Sequence, residues 1–296
     1  MLSLHTSAPV LPARVVVMGA NGFVGRASVE RLARAGATVV PLSRRDVDLL
    51  SPGGADALRA ALTPDTTLVV TSAIAPVKTT AMLLDNLRMM QAVIEAVKAA
   101  PVAHLVYISS DAVYADAPGL LTEASPAEPG SLHGVMHLAR EVMLKSELPH
   151  IPMAFVRPTL IFGPGDPHNG YGPNRFMRLA GAGESIVLFG KGEEQRDHVF
   201  IGDVAEIVTR CALHRATGIV NAVTGTVTSV RTIAGMAVAS ATPPVPVVET
   251  TRTGALPHNG YRAFDAGLIT RLFPDLRMTP LAEGLASMAV APAAGS

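Results

Sequence analysis

Short runs of β-branched and other apolar residues alternate along the chain with longer stretches in which apolar residues recur every three or four positions. The segment "ARVVVMGANGFVGRASVERLARAG" opens with such a run and breaks at glycines. It then carries Val24, Ala27, Leu32 and Ala35 at helical spacing before Gly36 ends it, so it predicts strand, turn and helix. "ATVVPLS", "TTLVVTSA", "HLVYISS" and "MAFVRPTLIF" repeat the strand-like run, while "DNLRMMQAVIEAVKAA" and "GVMHLAREVMLKSEL" supply helices between them. This alternation predicts right-handed βαβ units and a parallel sheet covered on both faces, an α/β doubly wound fold of the Rossmann kind.

After about residue 163 the pattern changes. "GPGDPHNGYGPNR" and "ATPPVPVVETTRTGALPHNG" are irregular and rich in Gly, Pro or Asn, yet "HVFIGDVAEIVTRCALHRA" between them again reads as strand then helix, with Asp203 capping a helix that begins at Val204. The expected organisation is a nucleotide-binding core of residues 12–163 and 198–218, with a smaller interleaved substrate lobe of residues 164–197 and 219–290. The final "APAAGS" is expected to be a frayed end. "PHNGYGPNR" and "PHNGYRAFD" are similar strings whose His168, Tyr171, His258 and Tyr261 receive no role from the sequence.

Composition narrows the partner. Lys+Arg and Asp+Glu are 24 each and charged residues are only 16%, which leaves no basic footprint for nucleic acid and favours a small-molecule substrate. Cys211 is the single cysteine and lies in an apolar helical run, so a buried, unreactive thiol and a reducing compartment are expected. No apolar run reaches the ~18–20 residues of a spanning helix, and the first residues lack the pattern of a signal peptide. The expectation is a soluble cytoplasmic protein without a membrane partner, with a homodimer left open.

The glycines of "GANGFVG" supply the first candidate chemistry. Gly19, Gly22 and Gly25 follow a strand and open a helix, where they permit a tight turn, close backbone approach to a pyrophosphate and close helix packing. Asn21, Phe23 and Val24 complete that loop, and Ser72 and Ala73 end the third strand beside it. Where an NAD site usually offers an acid to the ribose, this chain has Ser43, Arg44 and Arg45. Arginine suits a 2′-phosphate, so the expected cofactor is NADP or NAD with a preference for NADP. Asp48 and Leu49 follow at a spacing that could meet the adenine, or merely begin the next helix.

With "SSDAVYA", "RPTLIFGPGD" and "QRDHVFIGDVAE" in the same order, the chain resembles an extended short-chain dehydrogenase/reductase, the family of NAD(P)-dependent nucleotide-sugar epimerases and dehydratases. The resemblance implies a catalytic hydroxyl at Ser110, an acid at Asp111 (with Ala112 where dehydratases carry glutamate) and a site asparagine at Asn86. It implies that Pro158 and Gly163 shape the backbone near the nicotinamide. Asn174 would open the substrate lobe, and Arg196 would contact a nucleotide-sugar diphosphate, or else form a structural ion pair with Asp197 or Glu193. The family's Tyr-x-x-x-Lys aligns without a gap on "HGVMHLARE". His133 then stands at the tyrosine, His137 at the lysine and Glu141 at a following glutamate.

A spacing of four on a helix keeps His133 and His137 on one face. Tyrosine titrates at about 10 and needs a neighbouring cation, whereas imidazole titrates at about 6.5 unaided, so His133 can exchange a proton without a lysine. Its shorter side chain would require a closer substrate or a bridging water. The favoured reading is an NAD(P)-dependent oxidoreductase or epimerase acting on a hydroxyl-bearing carbon of a nucleotide sugar or related small molecule. An inactive NAD(P)-binding sensor or partner-binding protein is the alternative. A third reading, His133 and His137 as metal ligands, lacks an evident third ligand, and no metal is expected.

Overall fold

A computed structural model describes residues 1–288. The expectation for "APAAGS" lies outside the described residues. The elements in chain order are β1 (Arg14–Met18), α1 (Phe23–Arg34), β2 (Val39–Leu42), α2 (Gly54–Ala60), β3 (Thr66–Val70), α3 (Thr80–Ala99), β4 (His104–Ile108) and α4 (Leu132–Glu147). There follow β5 (Met153–Pro158), β6 (Leu160–Phe162), α5 (Pro173–Gly181), β7 (Ile186–Phe189), β8 (Gln195–Phe200), α6 (Ile201–Leu213) and β9 (Gly218–Ala222). The remainder comprises β10 (Val227–Ser229), α7 (Val230–Ala239), β11 (Val247–Thr250), β12 (Tyr261–Arg262), α8 (Gly267–Leu272) and α9 (Leu281–Ala286).

Six strands form one parallel sheet in the order β2-β1-β3-β4-β5-β9. Its strands are apolar on both faces because both are covered. Val15 and Val17 of β1 pack with Leu32 of α1 and with Val204, Ile207 and Cys211 of α6. The alternate residues Val16 and Met18 pack with Leu58 of α2, Met90 and Val93 of α3 and Leu144 of α4. Each such fully buried aliphatic side chain contributes roughly 1.5–3 kcal/mol. Pro41, which lacks an N–H, sits in β2 at the sheet edge, where one side needs no donor. Cys211 is fully buried and unpaired, and burial pushes its thiol up to about 12.

The smaller lobe has its own apolar cluster, with Phe176 and Met177 of α5, Ile186 and Leu188 of β7 and Ile233, Ala234 and Ala237 of α7. Its boundaries differ from expectation. "MAFVRPTLIF" is two strands: after Pro158 the chain leaves the large sheet, and β6 pairs with β8 in a small mixed sheet with β10 and β12. Residues 198–200 therefore belong to the small sheet, while the large sheet continues through Ala222 because β9 aligns with β5 from Ala154↔Gly218 to Pro158↔Ala222. Asp203 does not cap a helix starting at Val204. The helix begins at Ile201, and the Asp203 carboxylate instead accepts from the backbone N–H (2.7 Å) and hydroxyl (2.8 Å) of Thr279, anchoring the C-terminal segment.

Candidate active site

Strand β1 has β2 on one side and β3 on the other, so successive connections part between β1 and β3 and leave a crevice at their C-terminal ends. Gly19 enters it at φ +91°, and a Cβ there would lie 2.7 Å from the Ser72 backbone nitrogen; a Cβ on Gly25 would lie 2.1 Å from the Gly19 carbonyl oxygen. The turn and α1 are thus packed backbone to backbone. The first turn of α1 has neither a side-chain cap nor an acidic residue, so its N–H groups suit an anion.

Two cavities meet at this turn, sharing Gly22, Thr71 and Ala73 as walls. The first, about 290 Å³, is lined by Gly19, Asn21, Gly22, Ser43, Arg44, Asp48, Leu49, Ser72 and Ala73 among the expected residues. Arg44 reaches Asp48 at 3.3 Å, while Asp46 accepts from both the Ser43 hydroxyl (2.7 Å) and its N–H (2.8 Å), bonds that hold the Asp46 carboxyl below its usual range. Arg45 is exposed and lines neither cavity. A dinucleotide fits this surface: a cradle too tight for side chains, an uncapped helix start and two adjoining cavities.

The second cavity, about 580 Å³, brings together Phe23, Val24, Gly25, Ser110, Asp111, His133, His137, Pro158, Asn174 and Arg196. Ser110 ends the β4 segment and caps a short 3-10 turn at residues 111–113, accepting from the Ala112 N–H at 3.1 Å. Ser131 caps α4 in the same manner, accepting from Gly134 N–H at 3.2 Å, and the helix then carries His133 and His137 on its cavity side. Their rings stand edge to face with centroids 4.8 Å apart. Val77 N–H approaches His133 Nδ1 at 3.5 Å, a weak contact that orients the ring. Burial lowers the His133 pKa; Asp111 opposes this and His168 reinforces it.

Asn86 does not join them. It is fully buried and lines neither cavity, with its amide bonded to both the N–H and carbonyl of Ile74 at 3.0 Å and to the Met82 carbonyl at 2.8 Å. It braces the segment after β3 instead of facing a ligand. Asn174 likewise bridges Gly163, accepting from its N–H (3.1 Å) and donating to its carbonyl (2.8 Å). Arg196 pairs with Glu194 at 3.1 Å, not with Asp197 or Glu193.

Several residues in or behind these walls receive no role from the sequence. His168, His198 and His258 line the second cavity. Arg262 clamps Asp111, donating to its carboxylate at 3.0 Å and its carbonyl at 2.6 Å. Tyr107 and Arg140 lie behind His137. The similar "PHNGY" strings would have been the best sign of the loop histidines: His258 and Asn259 take left-handed φ of 50° and 52°, and Asn169 takes 49°. Among the described residues no group of three or more His, Cys, Asp or Glu is placed to hold a metal ion, and no helix is long and apolar enough to cross a membrane.

The family model described as NAD dependent epimerase/dehydratase family matches residues 15–223. The chain belongs to that family. A UDP-glucose 4-epimerase from Mycolicibacterium smegmatis is 29% identical over 231 residues, covering 67% of this chain and 72% of that protein. Among solved structures, MoeE5 in complex with UDP-glucose and NAD aligns with a TM-score of 0.78 at 25% identity, over 93% of this chain and 97% of that one. A GDP-L-fucose synthetase from Naegleria fowleri bound to NADP aligns at 0.82 and 17% identity, over 96% and 94%, a likeness of fold. For this epimerase/dehydratase family member, the solved structure at 25% identity is one that holds NAD.

Proposed function

We propose that this family member is an active NAD(P)-dependent oxidoreductase or epimerase that works on a hydroxyl-bearing carbon of a nucleotide sugar or related small molecule, with His133 as its acid/base. The observation that carries this reading is that Ser110, His133 and His137 share one cavity with the phosphate-loop residues Gly22–Gly25 and with Pro158. Gly19, Gly22 and Gly25 with the start of α1 would hold the pyrophosphate, and Asp48 and Leu49 would flank the adenine. Arg44, with Asp48 as its present partner, would meet a 2′-phosphate and so favour NADP.

The dinucleotide supplies hydride acceptance and donation at its nicotinamide, and the protein supplies orientation and proton transfer. The Ser110 hydroxyl holds the reacting oxygen, while His133 takes its proton at Nε2 and returns it in the reverse direction. Taking the proton there requires the neutral tautomer with hydrogen on Nδ1, so the Val77 N–H contact must be released. At 3.5 Å that costs little, at the low end of the ~0.5–1.5 kcal/mol of a net hydrogen bond. Arg196 would bind an anionic part of the substrate by exchanging its Glu194 partner. The related epimerase and MoeE5 support a UDP-linked hexose as the first substrate to try.

The test titrates NADP and NAD into wild type and His133→Ala, then follows cofactor absorbance with nucleotide sugars and simple ketones. His133→Ala should bind cofactor within about twofold of wild type and lose activity by about 10²–10⁴-fold. Tight cofactor binding with no turnover by wild type on the panel would replace this reading with that of a cofactor-binding sensor.

A further inference from the structure

His137 is the second member of the α4 pair, and its surroundings determine what it offers the cavity. Its ring is 6% exposed and makes one hydrogen bond among the described residues, Nδ1 to the phenolic oxygen of Tyr107 at 2.9 Å. Tyr107 comes from β4, is 1% exposed, and its hydroxyl meets no other hydrogen-bond acceptor among the described residues. Arg140, fully buried one turn further along α4, sets its guanidinium carbon 5.6 Å from the Tyr107 ring centre and donates to the Ser72 carbonyl at 2.9 Å.

The direction of the Tyr107–His137 bond follows from which groups can accept. A guanidinium has donors only, so the phenolic hydrogen has no acceptor except His137 Nδ1. Reversing the bond would leave a buried O–H unpaired, the costly arrangement. Burial pushes the phenol up to about 12, so it keeps its proton. Burial, then the His133 imidazole and the Arg140 guanidinium, lower the His137 pKa well below the ordinary range, so the ring is uncharged near neutrality. The Arg140 guanidinium favours a phenolate and the Glu141 carboxylate opposes one, but burial outweighs both and the proton stays on Tyr107. An uncharged imidazole that accepts at Nδ1 carries its hydrogen on Nε2, the nitrogen left for the cavity.

We infer that Tyr107 is a positioning residue that locks His137 as the Nε2–H tautomer, so that this helix position gives the cavity an uncharged hydrogen-bond donor and not a cation. The ligand group it suits is a neutral oxygen acceptor such as a sugar or ribose hydroxyl. That assignment to the cofactor ribose rests on the proposed nicotinamide site, whereas the tautomer does not.

The experiment uses the full chain with ¹⁵N-labelled histidine and long-range ¹H–¹⁵N spectra at pH 7.5, the His137 signals being identified by their loss in His137→Gln. Wild type should show hydrogen on Nε2 and a bare, hydrogen-bonded Nδ1, and in Tyr107→Phe the Nδ1 resonance should move toward that of an unbonded nitrogen. Hydrogen on Nδ1 or on both nitrogens in wild type overturns the inference, even if Tyr107→Phe fails to fold. An Nδ1 signal unchanged in a folded Tyr107→Phe also overturns it. Cofactor affinity then tests the ribose assignment separately. His137→Leu and Tyr107→Phe should weaken NAD(P) binding about three- to tenfold, and His137→Gln, which retains an uncharged N–H, should stay within about threefold of wild type. Equal affinity in all variants, with the tautomer observed as expected, overturns the ribose assignment alone; absence of NAD(P) binding by wild type overturns the proposed function.

Discussion

His133 and His137 are four residues apart on one helix, and burial lowers the pKa of both, but to different extents. His133 is half-buried and faces Asp111, whose charge partly offsets the burial that lowers its pKa; His137 is buried and backed by Arg140. His133 is therefore the member of the pair whose charged form is less disfavoured, and His137 stays neutral. In the direction that removes a proton from a hydroxyl, only the neutral His133 works. We expect kcat/KM to rise with pH through a value below the ordinary 6.5 and to stay level from about pH 7 to 9. A limb near 10 in that profile would move the proton transfer to another group. Both histidines were legible from their alignment on "HGVMHLARE". Tyr107 and Arg140 were not, because β4 and α4 meet only across the helix–sheet packing.

At the level of elements, α4 must lie against the 3-10 turn that follows Ser110. Gly134 makes this possible: a Cβ there would fall 2.0 Å from the Ala112 carbonyl oxygen. In an exposed helix, alanine at a glycine position stabilises by about 1 kcal/mol. Here it should destabilise by roughly 1–3 kcal/mol, because helix and turn must separate. The separation would also carry His133 away from Ser110. Gly134→Ala should therefore lower the midpoint of denaturant unfolding and reduce activity together; an increase in stability would show that the contact is not required. The helix and its Ser131 cap were readable from spacing and residue type, but the need for glycine comes from a carbonyl twenty-two residues earlier in the chain.

Across the whole molecule, two further buried histidines link folding to pH. His104 is fully buried with Nε2 2.7 Å from the Ala216 carbonyl, and His198 is buried on the cavity wall; burial pushes both down to about 4. The unfolded chain takes up these protons near pH 6.5, and the folded chain not until about pH 4. Stability is thus complete above pH 6.5 and falls as pH drops toward 4, by roughly 3 kcal/mol for each histidine. That loss is large beside a typical stability of ~5–15 kcal/mol. Asp197 and Asp203, whose pKa values burial raises, act in the opposite sense as pH approaches their own range and offset part of the loss. Denaturant midpoints from pH 8 to 4.5 should fall steeply below 6.5, and His104→Gln should flatten the curve; an unchanged slope in that variant would remove His104 from the account.

Hydrophobic periodicity alone determined that this chain builds a doubly covered parallel sheet, since strands apolar on both faces and amphipathic helices have few other ways to bury their surfaces. The spacing of Gly19, Gly22 and Gly25 likewise marked the turn at the crevice, because the constraint there is local. Tertiary structure decided what depends on partners distant in sequence. It assigned β9 to the large sheet and β8 to the small one, turned Asn86 inward to brace a loop, gave Arg196 to Glu194, and set Tyr107 behind His137. A hydrogen bond or ion pair between separate elements leaves no periodic trace in either segment, and so the proton on His137 could be located only once β4 and α4 were packed together.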